Sequence, residues 1–165
     1  MTQQTGLTHV DDTGAARMVD VSAKDVTARS AIAAGVLRTR ADVISALRSD
    51  DLPKGDALAV ARIAAIMAAK RTPDLVPLCH PIAIHGVAVE LTPQESTVDI
   101  RVTVRTADRT GVEMEALTAV AAAGLALIDM IKALDPAASI DSVRVIRKDG
   151  GKTGTWIRDG EGGEE

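Results

Sequence analysis

The sequence predicts an α+β fold in which helices cover one face of an antiparallel sheet, and three observations predict it. Residues 82–92 and 97–106 each alternate apolar and polar at period two around a Pro-containing connection, the pattern of a hairpin. Helix-period segments stand before and after this hairpin, and single strand-like runs stand outside them. At 165 residues, 46% of them hydrophobic, the chain is long enough to bury one core without disulfide or metal staples.

The elements follow in order. Residues 1–16 are polar and read as a flexible N-terminal arm, 17–154 as one folded domain, and 155–165, ending in Gly and Glu, as a flexible tail. Between 17 and 39, Val26, Ala28, Ser30, Ile32, Ala34 and Val36 share one side and Arg29 lies on the other, which predicts a strand. Residues 40–48 form a short amphipathic helix, the cluster Asp50, Asp51 and Pro53 interrupts it, and a second helix runs over 54–70. Pro73, Pro77 and Pro81 then predict an extended, constrained loop. After the hairpin a long helix spans 112–134, Pro136 lies just beyond it, and residues 140–148 make the last strand. Strand, two helices, hairpin, helix, strand is a split βαβ order of the ferredoxin-like kind. The sheet face without helices then needs other cover.

Composition narrows the function. Nineteen basic against 23 acidic residues give a net charge of −4, so no general attraction to nucleic acid or to an anionic membrane is expected, and any anion site is local. With no Phe, no Tyr and one Trp, the chain lacks the stacking platforms of single-strand binders. A single cysteine forbids an internal disulfide, the opening MTQQTGLTHVDDTG lacks the order of a signal peptide, and the apolar run 116–128 is shorter than the ~20 residues of a membrane span. A soluble, cytoplasmic protein is the expectation. Ala-rich helices commonly face other subunits, so a homo-oligomer is expected too.

Several constellations carry chemistry. Asp129 and Lys132, three apart on the long helix, share a face; they form either a surface ion pair or, after more than three apolar turns, a burial-shifted carboxylate fit for proton transfer. Glu113 and Glu115 bracket Met114 at the other end of this helix, where Thr110 and Glu113 have capping-box spacing. Cys79 and His80 lie in PLCHP, a constrained loop suited to binding. No metal centre is expected, because zinc needs three or four spaced ligands and only His9 and His85 accompany this pair. The run GGKTG at 150–154 is not a P-loop, since Ile146 stands where the first glycine belongs, yet its glycines beside Lys148 and Lys152 suit either an anion or a plain turn. Arg29, Lys54, Lys70 and Arg71 sit on a strand or at helix ends, as solvated charges or jointly as a polyphosphate site.

In order, MVDVSAK, KGDALAVARIAAIMAAKRTPDLVPLCHPI, TGVEMEALTAV, DMIKAL and GGKTG resemble the cyclic pyranopterin monophosphate synthase family, molybdenum cofactor biosynthesis accessory protein C. The likeness spans residues 7–154, and PLCHP followed by TGVEMEALTA is highly specific. The resemblance implies a catalytic domain over 17–154, assembled as a hexamer of dimers with active sites shared between subunits. It implies a lyase acting on a cyclised dihydro-GTP, a nucleotide triphosphate, with loss of pyrophosphate. Asp129, Lys54 and Lys132 match catalytic positions, and Leu78, Cys79, His80, Met114 and Glu115 match substrate-binding positions. Arg29, Glu113, Lys70 and Lys148 match further pocket residues. No cofactor is required, and Mg2+ accompanying the substrate phosphates is compatible. Ile128, Ile131 and Asp149 depart from the usual tyrosine, cysteine and serine, and Asp149 adds negative charge beside the glycine loop. The rival readings are a purine-nucleotide-binding regulatory module and a structural oligomerisation protein; a proton-transfer set favours the enzyme.

Overall fold

A computed structural model describes residues 13–49 and 51–161; most of the expected N-terminal arm, His9, Asp50 and the last four residues lie outside the described residues. The chain forms strand β1 (Thr27–Arg38), helices α1 (Ala41–Arg48), α2 (Ala57–Ala69) and α3 (Thr72–Leu75), strands β2 (Gly86–Pro93) and β3 (Thr97–Asp108), helix α4 (Glu113–Ile131), and strands β4 (Ser139–Asp149) and β5 (Trp156–Ile157). The sheet order is β2-β3-β1-β4-β5 with every pairing antiparallel, an α+β architecture.

Alternation sets which sheet face meets the helices. On β3, Val98, Ile100, Val102, Val104 and Thr106 are buried and their neighbours are not. Opposite them on β1 lie Leu37, Gly35, Ala33 and Ala31, all buried. The β1 side carrying Ile32, Ala34 and Val36, which looked the more apolar in sequence, is only half covered. Small residues on the buried side admit the helix closely: a Cβ on Gly35 would lie 2.7 Å from Val120 Cγ1, and one on Gly124 would lie 2.8 Å from Ile140 Cδ1.

By length and composition α4 is apolar enough to cross a membrane, yet it is the core helix. It buries Ala116, Ala119, Val120, Ala123 and Leu127, and it packs on β1, β3, β4 and α2. Helix α2 turns only Ala57, Ala61, Ala65 and Ala69 inward. Its large residues Val60, Ile63 and Met67 point to solvent, an inversion of the usual amphipathic pattern.

Four expectations need correction. Helix α2 begins at Ala57, capped by the Asp56 carboxylate, which accepts from Ala59 N–H at 2.9 Å, so Lys54 precedes the helix and does not open it. The Pro-rich loop contains one helical turn, α3, with Pro73 in its first turn, where no N–H is needed. The long helix starts from Val112 without a side-chain cap, so the Thr110 to Glu113 capping box does not form. Strand β5, inside the segment read as tail, pairs with β4 through Arg147 and Lys148.

Candidate active site

The first cluster forms where a turn meets the end of α4. Leu52 is buried and anchors a turn closed by Gly55 N–H donating to Leu52 C=O at 3.0 Å, with Pro53 second and Gly55 at φ +86°. Lys54 therefore projects from a stiff support. Its ammonium reaches the last turn of α4, donating to the Asp129 carbonyl at 2.7 Å and to Asp129 Oδ2 at 3.0 Å. Lys132, the residue capping α4, donates to Asp129 Oδ1 at 2.6 Å. One carboxylate thus lies between two ammonium groups at the negative end of a helix, where cations are favoured.

This triplet is exposed, with 44%, 57% and 58% of the Lys54, Asp129 and Lys132 side chains accessible. Asp129 is held down to about 2 by the Lys132 hydrogen bond first and the Lys54 hydrogen bond second. The burial-shifted carboxylate expected at this position is therefore not there. Leu127, Met130 and Ile131 around Asp129 are buried, and Asp129 lies on the exposed face of the same turn.

A burial-shifted carboxylate stands instead at the opposite end of α4. Glu115 is 3% exposed, and burial, reinforced by the neighbouring Glu113 charge, pushes its carboxyl above the ordinary range. It lines a cavity of about 340 Å³ with Leu78, Cys79, His80, Glu113 and Met114. Burial first, and the Glu115 charge second, raise the Cys79 thiol, so this cysteine is disfavoured as a thiolate. The cavity's outer wall was missed in sequence. Val19, Val21 and Lys24 complete it, and the His80 imidazole meets the Val19 carbonyl at 2.7 Å. The run MVDVSAK carried the signal, but of its polar side chains only Lys24 lines the cavity.

A smaller recess of about 70 Å³ adjoins the cavity through Gly111 and Glu113 and is lined by Arg29, Lys148, Asp149 and the glycine loop. Lys148 pairs with Glu113 at 3.2 Å, and Arg29 Nε donates to the Asp108 carbonyl at 3.0 Å. Lys70 is not part of either cluster: it ends α2, exposed, and lines neither cavity. Among the described residues no group of three His, Cys, Asp or Glu is placed to hold a metal.

Within one subunit the two clusters stand apart. Asp129 lies sixteen residues along α4 from Glu113, roughly 24 Å at about 1.5 Å of rise per residue.

Comparison with known proteins supplies the family. The MoaC family model matches residues 18–151, most of the chain, with the Lys54, Asp129 and Lys132 triplet and the whole lining of the larger cavity. The chain belongs to the MoaC family. Among curated MoaC relatives, the cyclic pyranopterin monophosphate synthase of Streptomyces coelicolor is 59% identical over 94% of this chain and 91% of its own length. Cyclic pyranopterin monophosphate synthase 2 of Mycobacterium tuberculosis is 59% identical over 92% and 91%. The Roseiflexus synthase is 55% identical over 93% and 98%. Ile131 is fully buried and Ile128 packs on the core, so both are apolar contacts of α4 and neither replaces a polar group of the triplet.

Proposed function

We propose that this chain is a cyclic pyranopterin monophosphate synthase, a lyase of molybdenum cofactor biosynthesis that rearranges a cyclised dihydro-GTP and releases pyrophosphate. The observation that carries the chemistry is the convergence of Lys54, from a turn far earlier in the chain, on the Asp129 and Lys132 pair at the end of α4. Bonds to base and sugar are broken and remade by proton transfers, and closure of a cyclic phosphate with loss of pyrophosphate gathers negative charge that ammonium groups stabilise. Because Asp129 stays ionised, its part is to orient the two lysines and balance their charge, while Lys54 and Lys132 face the reacting atoms. Leu78, Cys79, His80, Met114 and the buried Glu115 hold the heterocycle. Arg29 and Lys148 hold phosphates, with Mg2+ as their counter-ion needing no ligand set from the protein.

The site is completed by a second copy. The triplet and the cavity occupy opposite ends of α4, and Val60, Ile63 and Met67 leave a large apolar face of α2 uncovered, which a neighbouring subunit would bury. A hexamer of dimers, working in the cytoplasm, fits this need. The test is turnover of the cyclised nucleotide by the full chain, followed by pyrophosphate release, with mass in solution measured by light scattering. No pyrophosphate, or an active monomer, would overturn the reading.

A further inference from the structure

Asp149 adds negative charge beside the glycine loop. Its surroundings give it a different part. The carboxylate accepts from the Arg147 guanidinium, with Nε at 3.0 Å from Oδ2 and 3.2 Å from Oδ1, and Nη2 at 3.1 Å from Oδ1. It also accepts from Ser30 Oγ at 3.1 Å and from Thr155 Oγ1 at 2.9 Å. Its charge is thus matched by one cation, and its lone pairs join three segments: β1 through Ser30, β4 through Arg147, and the far end of the glycine loop through Thr155.

The loop between these anchors lies tightly on β1. Gly150 and Gly151 have φ of +93° and +73°, and a Cβ would fall 2.3 Å from the Ala28 carbonyl oxygen at the first and 2.4 Å from Arg29 Nη1 at the second. Backbone is packed directly against the Arg29 guanidinium. Arg29 is held from the other side by the Asp108 carbonyl at 3.0 Å and Lys148 by Glu113 at 3.2 Å, so the loop supplies the remaining wall against the guanidinium.

We propose that Asp149 is a positioning residue that seats the 150–154 loop on β1 and so holds Arg29 and Lys148 toward the small recess. This rests on the reading of that recess as a phosphate site. Trp156, the chain's only aromatic residue, follows Thr155 directly and lines a shallow pocket with Glu113 and Lys148, so its emission reports both loop seating and anion binding.

The test titrates inorganic tripolyphosphate into the full chain while following Trp156 fluorescence. Asp149→Ala is expected to red-shift the free emission and weaken tripolyphosphate by about tenfold, the size of one misplaced charge-assisted hydrogen bond. Thr155→Val, which removes one exposed hydroxyl bond, weakens it by about twofold to threefold, and Asp149→Asn, keeping one acceptor oxygen, falls between wild type and Asp149→Ala. With the cyclised nucleotide, Asp149→Ala raises KM and leaves kcat within about twofold, as loss of ground-state positioning requires. Wild-type chain that does not bind tripolyphosphate overturns the proposal, as does Asp149→Ala binding it like wild type. If Asp149→Ala does not fold, Thr155→Val binding unchanged overturns it as well. Wild-type turnover, measured separately, judges the reading of the site itself.

Discussion

Replacing Asp129 by asparagine keeps the shape of the triplet and removes its charge. In the fold the carboxylate sits 3.0 Å from the Lys54 ammonium and 2.6 Å from that of Lys132, and these two partners hold it down to about 2 against an ordinary 3.8. A depressed carboxyl contributes stability that is fully present above 3.8 and is lost as pH falls through about 2. At about pH 5 only about one part in a thousand is protonated, so the ionised form is the working form across any practical assay. Asp129→Asn leaves two ammonium groups without the anion between them and turns an amide N–H toward one of them. The expected fall in kcat is about 100- to 10,000-fold, the range for a misassembled acid–base group. The deficit does not change between about pH 5 and pH 9, because Asp129 stays ionised across that range and asparagine has no acidic proton to lose there. Adding Lys54→Ala costs much less than its single effect, since the three act as one unit. The assay is single-turnover pyrophosphate release, with circular dichroism to show that the fold is kept. Activity within about threefold of wild type, or a deficit that closes on acidification, would refute the assignment.

Ile63→Asp and Met67→Asp change side chains that are 58% and 55% exposed, so in a lone subunit each shifts stability by no more than about 0.5 kcal/mol. Both are nevertheless expected to reduce the mass seen by light scattering and abolish turnover, and an unchanged assembly would remove α2 from the interface. Gly35→Val pushes methyl groups toward Val120 and is expected to cost about 1–3 kcal/mol, read as a melting point lower by roughly 3–10 °C; an unchanged melting curve would contradict the packing. Glu115 is raised by burial, so what it contributes to stability is fully present below its ordinary 4.5 and is lost as pH rises through the higher folded value. Glu115→Gln should therefore gain on wild type in urea unfolding as pH climbs from about 4.5 to 8, and a difference independent of pH would show that the carboxyl is not perturbed.

Much of the fold was legible because period-two and helical patterns are local. Val98, Ile100, Val102 and Val104 declare their strand and its buried face without help. On β1 the same reasoning fails, because Ala31, Ala33 and Gly35 are small and the flanking Ile32 and Val36 are larger; close helix packing, not side-chain size, chose the buried side. Strand β5 was illegible for a related reason: two residues make no pattern, and Trp156 and Ile157 become a strand only because β4 offers an edge. Of the site, the cavity residues in PLCHP and VEME were marked in the sequence by constraint and charge, whereas Val19 and Val21 were not, since backbone and apolar surface are what they offer. Of the two readings of Asp129 the surface ion pair is the one that forms, and the burial-shifted carboxylate, Glu115, lies at the other end of α4. An apolar run shows that a helix is buried, but not at which turn its polar residues leave the core.

By itself the sequence determined the order of strands and helices, the α+β class and the MoaC motifs, because each depends on residues close together in the chain. Tertiary structure decided that Lys54 crosses from a turn to Asp129, that Glu115 and not Asp129 is the buried acid, and that Asp149 is neutralised by Arg147. Ionisation depends on what surrounds a group in space, and a one-dimensional text carries distance only along the chain.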